Sequence, residues 1–357
     1  MTERSAHLPP VSSGEGRGSH AGGSLPLREG RGGERTATAW EAALALAVLA
    51  VLWIIPLVLP SASFTDLMIR LSAMGLFATS LNLLVGTTGL VSFGHGMFYG
   101  FGAYSFALLM QDTTLPLWAS VLLSLAFAAL LALVVGAICI RLRTIYFAFV
   151  TLAMQMLLHS IILSWVSLTG GDQGLRGGIP RRFILGVDLA HQRNLYWASL
   201  VVLAVGLLLM RHVVASPLGT TLRMVRDNET RAAFLGITVW RAKLTVFVIA
   251  GVFAALGGMV MSLFVSGAYP ELADWPLSGQ AIFAIMLGGI GAFLGPLAGT
   301  LILLGLNDVV TRQTEYYGLA LGLIILVFAL GFQRGVTDSV LGQVRRRWPR
   351  ANLGERR

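Results

Sequence analysis

The chain has 357 residues, of which 55% are hydrophobic and only 12% charged, and it carries a net charge of +9. Such a balance excludes an ordinary water-soluble globular domain. The absence of alternating apolar segments of about ten residues excludes a membrane-spanning β-barrel. The positive charge comes from 25 arginines and the single lysine Lys243. These residues flank apolar runs, as topology rules ask of cytoplasmic loops, so no nucleic-acid partner is expected.

In chain order, residues 1–39 are rich in Gly, Ser, Arg and Glu and contain Pro9, Pro10 and Pro26, so they are expected to form a disordered cytoplasmic tail. Small residues Ser61, Ala62 and Ser63 follow the first apolar run, but the long polar lead and the length of that run predict a retained helix rather than a cleaved signal. Apolar runs of about 20 residues, the length needed to cross roughly 30 Å of hydrocarbon, then recur. They predict spans near 40–59, 64–86, 90–110, 117–140, 145–167, 195–211, 243–265, 277–290, 296–311 and 318–333. The expected fold class is all-α: a polytopic transmembrane helix bundle of about ten spans filling residues 40–335. Residues 336–357 follow as a basic cytoplasmic tail. With both termini inside, 20 of the 26 basic residues fall on the inner side. Arg176, Arg181, Arg182 and Arg193 stand against that count, in an outer loop at 168–194.

Two stretches, Gly94 to Gly100 and Gly289 to Gly295, both read GxGxxxG and lie 195 residues apart. Matching glycine-interrupted segments in two halves suggest an internal repeat with glycine-broken helices. No phosphate-binding G-x-x-x-x-G-K-[ST] occurs, and no strand and acidic residue accompany these glycines as a dinucleotide fold requires. They serve either close helix packing alone or packing together with a break that lines a path for solute. In the second case the N-terminus of a broken helix would offer free N–H groups to a carboxylate. Asn82, Ser92 and His95 group around the first break, while Gln155 and His159 lie one turn apart on a shared face of the fifth span; these five are the candidate translocation-path residues.

Nothing points to catalysis. Cys139 is the single cysteine, so no internal disulfide can form, and it reads as a small buried hydrophobe. The six histidines show no metal-ligand spacing, so neither a metal nor another cofactor is expected. Asp66, Arg70, Asp308 and Arg312 sit near the ends of spans, and no buried carboxylate relay suggests proton or sodium coupling. The energy source is therefore expected outside this chain.

That directs attention to residues 212–242, a polar insert between two spans. Ser216-Pro217 reads as a helix start. Leu222, Val225, Ala232 and Leu235 recur at helical spacing, with Arg223, Arg226, Asp227 and Arg231 largely elsewhere around the axis. Asp227 or Asn228 is placed to cap a second short helix, and Gly236 to stop it. Such an element either docks a soluble partner or lies on the anionic membrane lipid.

The segment SPLGTTLRMVRDNETRAAFLGI (216–237) resembles the cytoplasmic coupling loop of ABC-importer permeases, in particular LivM-type subunits of branched-chain amino-acid importers. Further similar segments are SLNLLVGTTGLVSFGHGMFYGFGAY (80–104), SLTGGDQGL (167–175), WPLSG (275–279) and LGGIGAFLGPLAGTL (287–301), so that roughly 64–335 is covered. The resemblance implies that Arg223, Arg226, Asp227, Asn228, Glu229, Leu235 and Gly236 meet an ATPase. Here Arg231-Ala232-Ala233 stands where the family tends to have an Ala-Ala-acidic run. It also implies a bacterial or archaeal plasma-membrane protein with a second permease subunit, ABC ATPase subunits and an extracytoplasmic solute-binding protein as partners. The expected solute is a branched-chain or similar amino acid. A permease for urea, short amides or another small polar compound is the near alternative, and a secondary transporter the more distant one.

Overall fold

In the computed structural model the described residues are 62–142, 144–180, 183–184, 186–313 and a few positions between 316 and 326. They belong to a unit bounded by Val48 and Arg357. The expected terminal tails, the first span at 40–59 and most of the last at 318–333 lie outside the described residues.

Eleven helices order the described residues: α1 (Ala62–Thr88), α2 (Gly96–Asp112), α3 (Leu117–Cys139), α4 (Thr144–Ser164), α5 (Val166–Thr169), α6 (Gln192–Ala215), α7 (Pro217–Asp227), α8 (Glu229–Phe234), α9 (Val239–Val265), α10 (Trp275–Gly288) and α11 (Gly295–Gln313). A two-stranded hairpin, β1 (Phe183–Ile184) with β2 (Val187–Asp188), lies between α5 and α6. Helices α1, α3, α6 and α9, together with Ile145–Ser164 of α4, are long and apolar enough to cross a membrane. The five fall short of the ten predicted spans for reasons beyond the undescribed ends: α2 and α10 have only 17 and 14 residues, and α11, though 19 residues long, is less apolar.

Helices α1 and α9 form the centre. Helix α9 packs against α1, α2 and α3, while α6 and α11 cover the rest of α1. Small residues permit this close contact, since lipid supplies no hydrophobic drive between helices and packing must do the work. A β-carbon at Gly258 of α9 would overlap the Tyr99 carbonyl of α2, and one at Gly102 would overlap the Ala255 carbonyl. Phe77, Phe98, Phe247 and Tyr99 fill the space between these helices without exposure.

The two non-helical stretches enter from opposite ends. Residues 89–95 leave α1 where α7 packs. They climb back until the His95 ring lies 2.9 Å from Ser80 Oγ, eight residues or about 12 Å above Thr88. Residues 266–274 leave the far end of α9, bridge to Leu175 through Ala268, and descend as a 3-10 turn (Pro270–Ala273). The two glycine motifs therefore differ in use. In the first, β-carbons at Gly94 and Gly100 would overlap Thr151 and Ala273, so the motif packs against α4 and the descending turn. In the second, Gly295 closes on the Gly289 carbonyl and forms the tight turn between α10 and α11.

Candidate functional site

The interhelix loop folds as its residues direct. Pro217 ends α6 because it has no N–H to continue the ladder, and it starts α7 at the position where none is needed. The Asn228 side chain accepts from the Arg231 N–H at 2.9 Å and caps α8. Such a cap contributes about 1 kcal/mol. Gly236, at φ +82°, stops α8 with two bonds, Gly236 N–H to Ala233 at 3.0 Å and Ile237 N–H to Ala232 at 3.1 Å.

One side of this helix pair is bound to the bundle. Leu222, Val225 and Ala232 are buried. The Arg226 guanidinium donates to the Gly86 carbonyl in the last turn of α1. Arg223 donates to the Val214 carbonyl at 3.3 Å and to Thr220 Oγ1 at 3.4 Å. Glu229 pairs at 2.5 Å with Lys243 of α9, whose side chain is only 6% exposed. A nearly buried ammonium needs a partner, and Glu229 supplies it. Of the seven loop residues singled out from sequence, Arg223, Arg226, Asn228, Glu229 and Gly236 thus build and anchor the loop, while Asp227 and Leu235 face outward. Leu235 shares the helical spacing of Leu222, Val225 and Ala232 but not their burial. It is 68% exposed, because α8 ends one residue before it. Phe234 beside it is 88% exposed and was missed. Its signal was available: Phe234 follows the buried Ala232 by two positions, about 200° around a helix.

A second cluster lies inside the bundle, where the two non-helical stretches meet α4. Ser278 Oγ accepts from the Gly96 N–H at 2.8 Å and donates to Gln155 Oε1 at 2.8 Å. Gln155 Nε2 donates to the carbonyls of Ala273 at 3.1 Å and Asp274 at 2.8 Å. One carboxamide at the middle of α4 thus holds the starts of α2 and α10 together. Ser278 was not recognised from sequence, because a lone serine near a helix start carries no pattern.

Of the two readings of the first glycine break, the one that offers free N–H groups is not met at Gly96, Met97 or Phe98. Gly96 N–H goes to Ser278, Met97 N–H to Gly94 at 3.2 Å and Phe98 N–H to His95 at 3.1 Å. The start of α10 is likewise closed by Asp274, whose Oδ1 accepts from the Trp275 N–H at 2.7 Å. Buried donors out of reach of water must be paired, and these are.

The remaining polar residues are dispersed. His95 is fully buried, its ring stacked on Phe77 at 5.6 Å and edge-on to Phe98 at 5.7 Å. Ser92 Oγ, Asn82 Oδ1 and His159 Nδ1 are buried atoms with no hydrogen-bond partner among the described residues. His159 shares a face with Gln155 but stands outside its network. No group of three or more His, Cys, Asp or Glu side chains is placed to hold a metal among the described residues.

Residues 63–330 match the family described as branched-chain amino acid transport system / permease component. The high-affinity branched-chain amino acid transport system permease protein LivM of Escherichia coli (strain K12) is 26% identical over 325 residues, covering 85% of this chain and 76% of LivM. The corresponding LivH protein of Salmonella typhimurium is 27% identical over 72% of this chain and 88% of its own. The ribose import permease protein RbsC of Haemophilus influenzae is 26% identical over 54% of this chain and 59% of its own.

Proposed function

Because the chain belongs to the branched-chain amino acid transport system permease family, we propose that it is a membrane-spanning subunit of an ATP-driven importer for branched-chain or similar amino acids. Its partners are a second permease of related type, two ABC ATPase subunits and an extracytoplasmic solute-binding protein, in a plasma membrane with both termini inside. ATP-driven closure of the ATPases acts on loop 216–239 and switches the bundle between inward-open and outward-open forms. Each partner must interact differently with the two forms, or nothing is coupled.

One observation carries this reading. Loop 216–239 is bound to α1 and α9 on one side and presents Phe234 and Leu235 to solvent on the other. Two adjacent large apolar side chains on an otherwise polar loop fit a protein groove as anchors. On this reading Asp227, Phe234 and Leu235 make contact, while Arg223, Arg226, Asn228, Glu229 and Gly236 hold the contact surface at the bundle. Asn82, Ser92, His95, Gln155 and His159 lie along the path of the solute, with His95 and Gln155 holding the broken helices beside it. The chain carries no catalytic group of its own, the chemistry residing in the ATPases.

The likeness to ribose import permeases favours a second reading, a small polar solute such as urea, a short amide or a sugar. Reconstitution with the ATPases, the second permease and the binding protein tests both. ATP-dependent uptake of leucine or valine supports the first reading, and uptake of a polar solute alone supports the second. Flux through the chain by itself, driven by an ion gradient, overturns both.

A further inference from the structure

A cavity of about 90 Å³ opens between α1, α10 and α11, lined by Met74, Ala78, Ala281, Phe283 and Leu303 on its apolar side and by Gln280 and Asn307 among its polar groups. It lies against the middle of α1, a helix long and apolar enough to cross a membrane, and runs along α11 as far as Asn307. Gln280 and Asn307 are nevertheless exposed there. The Gln280 side chain makes no hydrogen bond among the described residues, and the Asn307 side chain only accepts from Thr311 Oγ1 at 3.5 Å, which leaves its amide N–H groups free. Unpaired amides facing lipid are costly, so a polar group meets them.

We propose that this cavity is a transit subsite for a branched aliphatic amino acid, with the side chain in the apolar recess and the α-ammonium and α-carboxylate groups at the Gln280 and Asn307 amides. The inference rests on the transport reading above. Size supports it: an apolar cavity of about 150 Å³ takes benzene, and this smaller one suits a smaller branched group. The lining supports it too, since an acyl chain would need no amide at the rim. The amides supply both donors and acceptors, as a zwitterion requires. The fully buried Gln155 belongs to the neighbouring joint, which with Ser278 holds α10 against α2 and so fixes one wall of the recess.

The assembled transporter, with its second permease and ATPases in lipid vesicles, is the object to test, using labelled leucine and alanine. Ala281→Leu fills the recess, and its leucine uptake is expected to fall about tenfold while alanine uptake stays within about twofold, the range over which misfit by methylenes discriminates. Gln280→Leu leaves the packed core alone and is expected to raise KM for both solutes about tenfold, since both carry the same α-groups. ATP hydrolysis by each purified complex reports assembly. Should Ala281→Leu fail to assemble, Gln280→Leu alone decides. A wild-type KM in Gln280→Leu, or equal loss of leucine and alanine in an assembled Ala281→Leu, overturns the subsite. A wild-type complex that accumulates neither amino acid overturns the transport reading instead.

Discussion

The Arg226 guanidinium donates to the carbonyl of Gly86, tying the interhelix loop to the final turn of α1, 140 residues away in sequence. A helix end leaves carbonyls without partners and concentrates negative partial charge, so a guanidinium there satisfies both. The same turn leads into residues 89–95, so a displacement of α7 is delivered to the broken element before α2. Arg226→Gln is expected to keep complex assembly and ATP hydrolysis while cutting uptake about fivefold or more, the lower end of ordinary coupling energies. Parallel measurement of hydrolysis and uptake checks it. Equal loss of both would place Arg226 at the ATPase contact instead.

Phe234 gives the complementary case. Its side chain stabilises nothing in the isolated chain, being 88% exposed. Phe234→Ser is expected to leave the thermal melt of the purified permease unchanged and to weaken ATPase co-purification about tenfold or more, as loss of an interface anchor does. Titration of labelled ATPase against permease in nanodiscs reads the affinity directly.

Gln155→Leu removes the carboxamide that joins Ser278 to the carbonyls of Ala273 and Asp274. Each buried polar group left without a partner costs about 1–3 kcal/mol. A clear fall in melting temperature in detergent is expected, and Ser278→Ala should fall less, since Gln155 keeps its two carbonyl bonds. A melt of Gln155→Leu equal to wild type would mean that water replaces the amide.

Two glycines separate backbone strain from packing. Gly236 has φ +82° and nothing within 4 Å of a β-carbon built on it. Gly236→Val is therefore expected to cost only the left-handed conformation, about 1–3 kcal/mol, loosening α8 without unfolding the bundle. At Gly94 the backbone is ordinary but a β-carbon would overlap the Thr151 carbonyl, so Gly94→Ala must push α4 away. Expression and melting of the two variants in parallel should separate them, with Gly94→Ala the more damaging although it adds the smaller side chain.

Long apolar runs were legible in the sequence because their length is set by the thickness of a bilayer, and α1, α3, α4, α6 and α9 fall where composition predicts. The loop helices were legible for a local reason: Pro217, Asn228 and Gly236 act on their nearest neighbours, and each does so where it stands. The start of α2 was placed near residue 90 and falls at Gly96. Residues 90–95 are largely apolar, so composition runs them into the helix, but Gly89 at φ +72° turns the chain and the contacts of Gly94 and His95 hold the stretch that follows. Long-range partnerships left no trace either. Nothing in the string of residues pairs Lys243 with Glu229, or Gln155 with Ser278 123 positions away. The outward turn of Phe234 depended on where α8 stops, which sequence fixed only to within a residue or two.

The antiparallel bridge between Leu175 and Ala268 makes the connection after α4 and the approach to α10 a single mechanical piece. From Ala268 a path of some six residues leads to Asp274 and to α10, one wall of the recess. On the proposed transport cycle, a signal arriving through that bridge and a pull arriving through Arg226 would converge on neighbouring turns of the same bundle.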